Sequence, residues 1–368
     1  MPFTDQEKQE ILTGCTQFLT LRLLGTMSEK LHKIADSEYS ALGQDQYGKG
    51  GAVAAVEERV RTLLGKDAAI FMPSGTMAQQ IALRIWCDRA GNNRIAFHPT
   101  CHLEIHEQGA YRELHHLEAT LLGESDRLFT LPDLDRAEDA AALLIELPQR
   151  EIGGQLPSWE TLVDICDWAR SRGIKLHMDG ARLWECAPFY GKSYSEIAAL
   201  FDSVYVSFYK VLKGLAGAAL AGPTDFIDES RVWLRRHGGN LVSLSPNAVS
   251  AMIGLDEQLP RIPELCAKAQ DIANALASLD GLDVVPPRPP TNMMHLHFWG
   301  KKDRLEEAFW ATARDHGMMI CRGLASTDDE GKWKMEVTVN EATLDLDTAR
   351  LRELMKGVLD AGGAGRRG

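Results

Sequence analysis

The stretch Ala141-Ala-Leu-Leu-Ile-Glu-Leu147, followed by Pro157-Ser-Trp-Glu-Thr-Leu-Val-Asp-Ile-Cys-Asp-Trp-Ala-Arg-Ser-Arg172 and then Lys175-Leu-His-Met178, decides the fold. The first and last pieces are short apolar runs of the kind that form buried strands. The piece between them carries apolar residues at helical spacing, with Pro157-Ser158 as its start signal and Gly173 as its stop. Strand, helix and strand at this spacing imply a crossover connection, so the two strands pair in parallel and helices cover both faces of the sheet.

Working outward, Ser203-Val-Tyr-Val-Ser207 reads as a further buried strand. Upstream, Val53 to Leu64 has helical spacing, Ala68-Ala-Ile-Phe-Met72 is a strand, and Met77 to Trp86 is a helix after the turn Pro73-Ser-Gly-Thr76. Beyond Ser245 the rhythm changes. Pro246 to Leu279 is helical with a break at Pro260 and Pro263, and Met293-Met-His-Leu-His-Phe298 alternates like a half-buried strand. A helix over about Arg304 to His316, a strand over Lys334 to Val339 and a helix over Ala349 to Leu359 follow, and the glycine-rich tail Ala361–Gly368 is expected to be disordered. The expected organisation is α/β: residues 1–245, with a helical N-terminal segment, form a large domain with a mixed, mostly parallel sheet. Residues 246–368 form a smaller α+β domain.

Composition narrows the function. The 368 residues are 45% hydrophobic, as in a folded soluble protein, and 40 Lys+Arg against 52 Asp+Glu leave a net charge of -12. That balance disfavours a sequence-independent nucleic-acid binder. The most apolar stretch, Leu215 to Gly222, is too short to span a bilayer, and the acid-bearing start MPFTDQEKQEIL lacks a signal-peptide core. Seven scattered cysteines without C-x-x-C spacing read as reduced thiols in a cytoplasmic protein.

Three features stand where α/β sheets bind ligands, at the carboxyl ends of strands. Ser74-Gly75-Thr76 opens a helix, where free N–H groups attract an anion, though a Ser that merely caps the helix has the same appearance. Asp179, in His177-Met-Asp-Gly-Ala-Arg182, is an acid at a buried strand end that needs a cationic partner, either Arg182 or a positive ring nitrogen on a ligand. Lys210, in Ser207-Phe-Tyr-Lys210, sits among apolar residues and glycines where desolvation lowers an amine's pKa; a solvated lysine, or Lys213 as the reactive one, are the competing readings. An anion cradle, an acid and then a lysine about thirty residues on are the parts that hold pyridoxal 5'-phosphate.

These residues, with Tyr47-Gly48, the run Phe71-Met-Pro-Ser-Gly-Thr76, and His102 followed by Glu107-x-Gly109-Ala110, resemble the threonine aldolase-like family, grouped with the β-eliminating lyases of fold type I. The resemblance runs from about Tyr47 to Gly222 and more loosely beyond. It implies a pyridoxal phosphate-dependent large domain and an aldehyde-lyase that splits a β-hydroxy-α-amino acid into glycine and an aldehyde. It also implies a homodimer or homotetramer, with Tyr47 and Arg235-Arg-His-Gly-Gly239 at a subunit boundary. By the same resemblance Lys210 bonds the cofactor, Asp179 partners its ring nitrogen, Gly75 and Thr76 with Ser74 and Ser207 hold it, and His102 stacks on it and assists proton transfer. Arg182, Glu107, Tyr47 and Arg322 fall to the substrate.

The departures concern the substrate. The Ser-Asp-Thr segment that opens such enzymes is not evident between Gly14 and Gly25, and the small-domain arginine falls near Met335, with Arg322 or Lys334 as substitutes. The run after the strand glutamate is Leu147-Pro-Gln-Arg150 instead of Asn-Thr-His. Other outcomes on the same cofactor are β-elimination, group transfer, racemisation and transamination. A metal-dependent hydrolase built on His98, His102, His106, His115 and His116 is a rival, although His-Leu-Glu-Ile-His is not H-E-x-x-H. A non-catalytic protein retaining the fold is another. Trp86, Trp168 and Trp310 are expected in cores.

Overall fold

The computed structural model describes residues 3–20 and 25–363. Contacts divide the chain into two compact units, one made of residues 25–151 and 155–261, the other of 262–363 with 152–154 and the described part of the first 24. The sequence reading put the boundary at 245/246. Helix Ser245–Gln258 instead belongs to the larger unit, and the break at Pro260 and Pro263 is where the chain leaves it. The N-terminal segment also changes sides: helix Asp5–Gly14 packs on helix Lys302–His316, and Gln17–Phe18 pairs in parallel with Met318–Met319.

The larger unit is built on seven strands: β1 (Ala68–Met72), β2 (Arg94–Phe97), β3 (Glu118–Leu121), β4 (Ala142–Glu146), β5 (Lys175–Gly180), β6 (Ser203–Ser207) and β7 (Ala218–Gly222). Their spatial order is β1-β7-β6-β5-β4-β2-β3. The five strands from β6 to β3 are mutually parallel, and β7 runs antiparallel to both β6 and β1, so six strands share one direction. β2 and β3 are four residues each and β3 is only half-buried, which leaves little periodicity to read. β7, the most apolar stretch of the chain, is a fully buried strand.

Two helices pack on the strands that lead to the site. Helix α1 (Gly75–Ala90) starts where the Ser74 side chain accepts the Met77 N–H and stops at Gly91, whose φ of 60° is the left-handed cap that glycine adopts without strain. It packs against β1, β2 and β4 to β7. Helix α2 (Trp159–Ser171) is capped by Ser158 and contacts β5. Trp86 is buried and stacked on Phe226, and Trp310 is buried, but Trp168 lies half-buried with the Arg172 guanidinium over its ring.

The smaller unit carries a four-stranded antiparallel sheet in the order Ala325–Ser326, Lys332–Thr338, Met293–Trp299, Leu282–Val285, with helices Ile262–Leu276, Lys302–His316 and Thr348–Gly362. The expected half-buried strand 293–298 is buried at all but His297. The last helix takes in Ala361 and Gly362 of the expected disordered tail, and residues 364–368 lie outside those described.

Candidate active site

Because six strands run one way, the chain segments leaving β1, β2, β4, β5 and β6 all emerge on the same edge of the sheet. There a cavity is lined by Gly75, Thr76, Gln79, His102, Glu107, Glu146, Asp179, Ala181, Tyr205, Tyr209 and Lys210. Register supplies the floor: Glu146 pairs with Asp179 across β4 and β5, and Asp179 with Tyr205 across β5 and β6, so the three side chains stand in one row on one face.

Lys210 lies just past β6, and burial, with the Arg182 cation beside it, lowers its amine to about 8, while Asp179, Glu146 and Glu185 pull the other way. The cost of a cation in a desolvated site is what makes this amine available as a nucleophile. Asp179 lies within β5 and is not held by Arg182. Its oxygens accept from the Gln79 side-chain amide and, at 3.0 Å, from the Ala181 N–H. Two carboxyls flank the site, Glu185 buried and Glu146 half-buried. Burial and then Asp179 push Glu146 up to about 7, and burial pushes Glu185 up to about 8. Glu146 also accepts the His102 N–H and the Arg150 N–H, each at 3.2 Å, and so ties the β2 and β4 exits together.

His102 opens a one-turn helix, His102–Ile105, and Glu107 lies beyond it. Glu107 accordingly points at His102: its side chain is 1% exposed, its Oε1 is 3.0 Å from His102 Nδ1, and its Oε2 accepts from Gln80 at 2.6 Å. The Glu107 hydrogen bond raises the His102 pKa against the opposing effect of burial. Glu107 thus holds the His102 ring while itself lining the cavity, the side on which the sequence reading set it.

At the helix start, Ser74 is spent on capping, Oγ to the Met77 N–H at 3.2 Å, which leaves the N–H groups of Gly75 and Thr76 to face a ligand. Gly75 is required by space: a Cβ there would meet the Tyr205 hydroxyl oxygen at 1.9 Å. Ser207, expected on the cofactor, instead donates to the Ala181 carbonyl at 2.7 Å and braces the loop after Asp179.

Other expected site residues are not among those lining this cavity. Tyr47 is 53% exposed, has φ 51°, and donates its N–H to the Val242 carbonyl; it is not among the cavity residues. Arg322 is exposed on the smaller unit, where Met335 is buried in strand Lys332–Thr338 and Lys334 is half-buried. Residues 21–24, part of the stretch read for Ser-Asp-Thr, lie outside those described. Gln149 is buried and donates to Thr100 at 3.2 Å and Glu146 at 3.3 Å. The crowded histidines disperse: His98 to the Arg127 carbonyl, His102 to Glu107, His106 to Glu151, His115 against Trp233 and His237. Gln79, Gln80, Tyr205 and Glu185 went unnoticed in the sequence, and Glu146, read only as the strand glutamate before Leu147, pairs directly with Asp179.

The family profile of the beta-eliminating lyases matches residues 27–298, well over half the chain. The chain belongs to the beta-eliminating lyase family. Within the family it is similar to the low-specificity L-threonine aldolase 1 of Arabidopsis thaliana, with 25% identity over 77% of this chain and 82% of that one. It is also similar to the low specificity L-threonine aldolase of Escherichia coli K12, at 28% over 69% and 76%. Among solved structures, a Listeria monocytogenes protein described as an inferred L-allo-threonine aldolase superposes with a TM-score of 0.91 at 39% identity, over 97% of this chain and 99% of that one. The expected fold of this lyase, a mixed and mostly parallel sheet of fold type I, is thus the observed one. Among the described residues no helix is long and apolar enough to cross a membrane.

Proposed function

We propose that this beta-eliminating lyase family member is a pyridoxal 5'-phosphate-dependent aldehyde-lyase, cleaving the Cα–Cβ bond of a β-hydroxy-α-amino acid to give glycine and an aldehyde. The observation that carries the reading is one cavity holding a half-buried, pKa-lowered lysine, a carboxylate partnered only by neutral donors, and a helix start with two free N–H groups. Those are the three attachment points the cofactor needs: Lys210 for its aldehyde, Asp179 for its ring nitrogen, Gly75 and Thr76 for its phosphate. When bound, pyridoxal phosphate supplies a cationic conjugated ring that takes up the electron pair released as a bond at Cα breaks.

The chain's own residues do the rest. Lys210, neutral for part of the time near neutral pH, offers its amine and later returns to it. Arg182, whose charge is felt at Glu146, Glu185 and Lys210, takes the substrate carboxylate. His102, with Nδ1 held by Glu107, keeps Nε2 to accept the β-hydroxyl proton, and bond cleavage then expels the aldehyde. Two further parts of the reading are a homodimer or homotetramer, by likeness to the family, and a cytoplasmic setting, which seven buried free cysteines support.

The test is release of glycine and acetaldehyde from threonine and allo-threonine, with borohydride reduction of the yellow protein followed by peptide mapping. Label on the Lys210 peptide and aldehyde release are expected. A colourless protein after cofactor addition overturns the cofactor reading, and turnover of other amino acids without aldehyde overturns the aldolase one.

A further inference from the structure

Behind Asp179 lies a file of polar side chains that none of the roles above uses. One register step back along β5 and β6, His177 pairs with Ser203, on the same face as Asp179 and Tyr205. Helix α1 lays Gln79 and Trp86, two turns apart, over that face. All are buried: Trp86 3% exposed, Ser203 and His177 0%, Gln79 1%, Asp179 2%. Polar atoms so deep must be hydrogen-bonded, and here each one is. Trp86 Nε1 is 2.8 Å from Ser203 Oγ, which is 2.8 Å from His177 Nδ1; His177 Nε2 is 2.7 Å from Gln79 Oε1, and the Gln79 amide nitrogen reaches Asp179 Oδ2.

The direction of this file is set from both ends. An indole nitrogen can only donate, so the Ser203 hydroxyl accepts from Trp86 and keeps its own proton available for His177 Nδ1. The imidazole proton therefore sits on Nε2 and goes to Gln79 Oε1, which turns the Gln79 N–H toward Asp179. Reversing the imidazole would flip the Gln79 amide and set its oxygen against a carboxylate oxygen, two acceptors in contact. Burial also lowers the His177 pKa to about 3, so the ring is neutral, as a one-proton relay requires.

We propose that Gln79 and His177 are positioning residues for Asp179, the last links of a one-way hydrogen-bond chain that starts at Trp86. The proposal rests on the cofactor reading above. A carboxylate offers about four lone-pair sites. The chain fills one on Oδ2, the Ala181 N–H fills one on Oδ1, and the rest remain for the cofactor's ring nitrogen.

The experiment is nitrogen NMR on histidine-labelled whole protein, with and without pyridoxal phosphate, joined to equilibrium dialysis of the cofactor. His177 is expected to stay neutral with its proton on Nε2 from about pH 5 to 9, a range in which an ordinary histidine titrates. Titration in that range, or a proton on Nδ1, overturns the proposal whether or not any variant folds. Gln79→Leu, close in volume, is expected to weaken cofactor binding by about tenfold or more and to shift the pH midpoint of the bound cofactor's absorbance. Gln79→Glu, which restores a hydrogen-bonding group, is expected to recover part of both at low pH. Unchanged affinity and absorbance profile in a folded Gln79→Leu protein overturns the proposal. Failure of the wild-type protein to bind cofactor counts instead against the function proposed above, because the His177 tautomer is read without it.

Discussion

Strands β4, β5 and β6 are buried on both faces, yet the two faces are made of different chemistry. One presents Leu143, Ile145, Leu176, Met178, Val204 and Val206, all aliphatic or thioether side chains that need only volume. The other carries, beside Ala142 and Leu144, the side chains of Glu146, His177, Asp179, Ser203, Tyr205 and Ser207, each with a polar group that must find a partner. The same three backbones therefore carry a face that specifies packing and a face that specifies geometry. Hydrophobic burial is non-directional and tolerates repacking, whereas a buried hydrogen bond fixes distance and angle. Asp179 stands on the second face, near the end where the parallel strands stop, and Lys210 lies just past it.

Four substitutions probe that contrast, from the strongest effect down. Lys210→Ala, at the polar edge, is expected to abolish borohydride fixation of the cofactor and bring aldehyde release down to background, with folding by circular dichroism retained. Asp179→Asn is expected to lower kcat/KM by about a hundredfold or more, the scale seen when a preorganised charge partner is lost. Glu107→Gln sharpens the comparison through pH. Glu107 raises the His102 pKa, and neutral His102 is the proton acceptor, so wild-type activity falls as pH drops through a midpoint above the ordinary histidine value of about 6.5. In Glu107→Gln that limb is expected to move to lower pH; a limb that stays in place removes His102 from the role. Met178→Leu, on the aliphatic face one residue from Asp179, is expected to cost less than about 1.5 kcal/mol in denaturant unfolding and to leave kcat/KM unchanged. A large activity loss there would break the division between the two faces.

Legibility follows the same division. The strand-helix-strand stretch 141–178 is read correctly because apolar periodicity is a local signal, and β4, α2 and β5 each end within two residues of their expected limits. Asp179 and Lys210 are visible because a charged residue at the end of an apolar run is locally anomalous. Glutamines on an amphipathic helix are not anomalous, so Gln79 and Gln80 pass as surface residues until α1 is seen to press them against β5 and His102's neighbour Glu107. β7 shows the limit for strands: its apolar run is plain, but its reversed direction depends on a turn through Gly214 and Gly217 and on pairing with β1 some 150 residues away in sequence.

The amino-acid sequence by itself determined the class of sheet, the helix that opens at Ser74, and the two residues, Asp179 and Lys210, on which the proposed chemistry turns. Periodicity, capping and charge next to apolar runs act within a few residues, so they are written locally. Only the tertiary structure decided that Glu107 serves His102, that Ser207 braces the loop after Asp179, that Tyr205 obliges residue 75 to be glycine, and that the chain divides near 262. Each of those depends on strand register or on a helix laid across several strands, which brings together atoms far apart in the chain. No local pattern encodes that meeting.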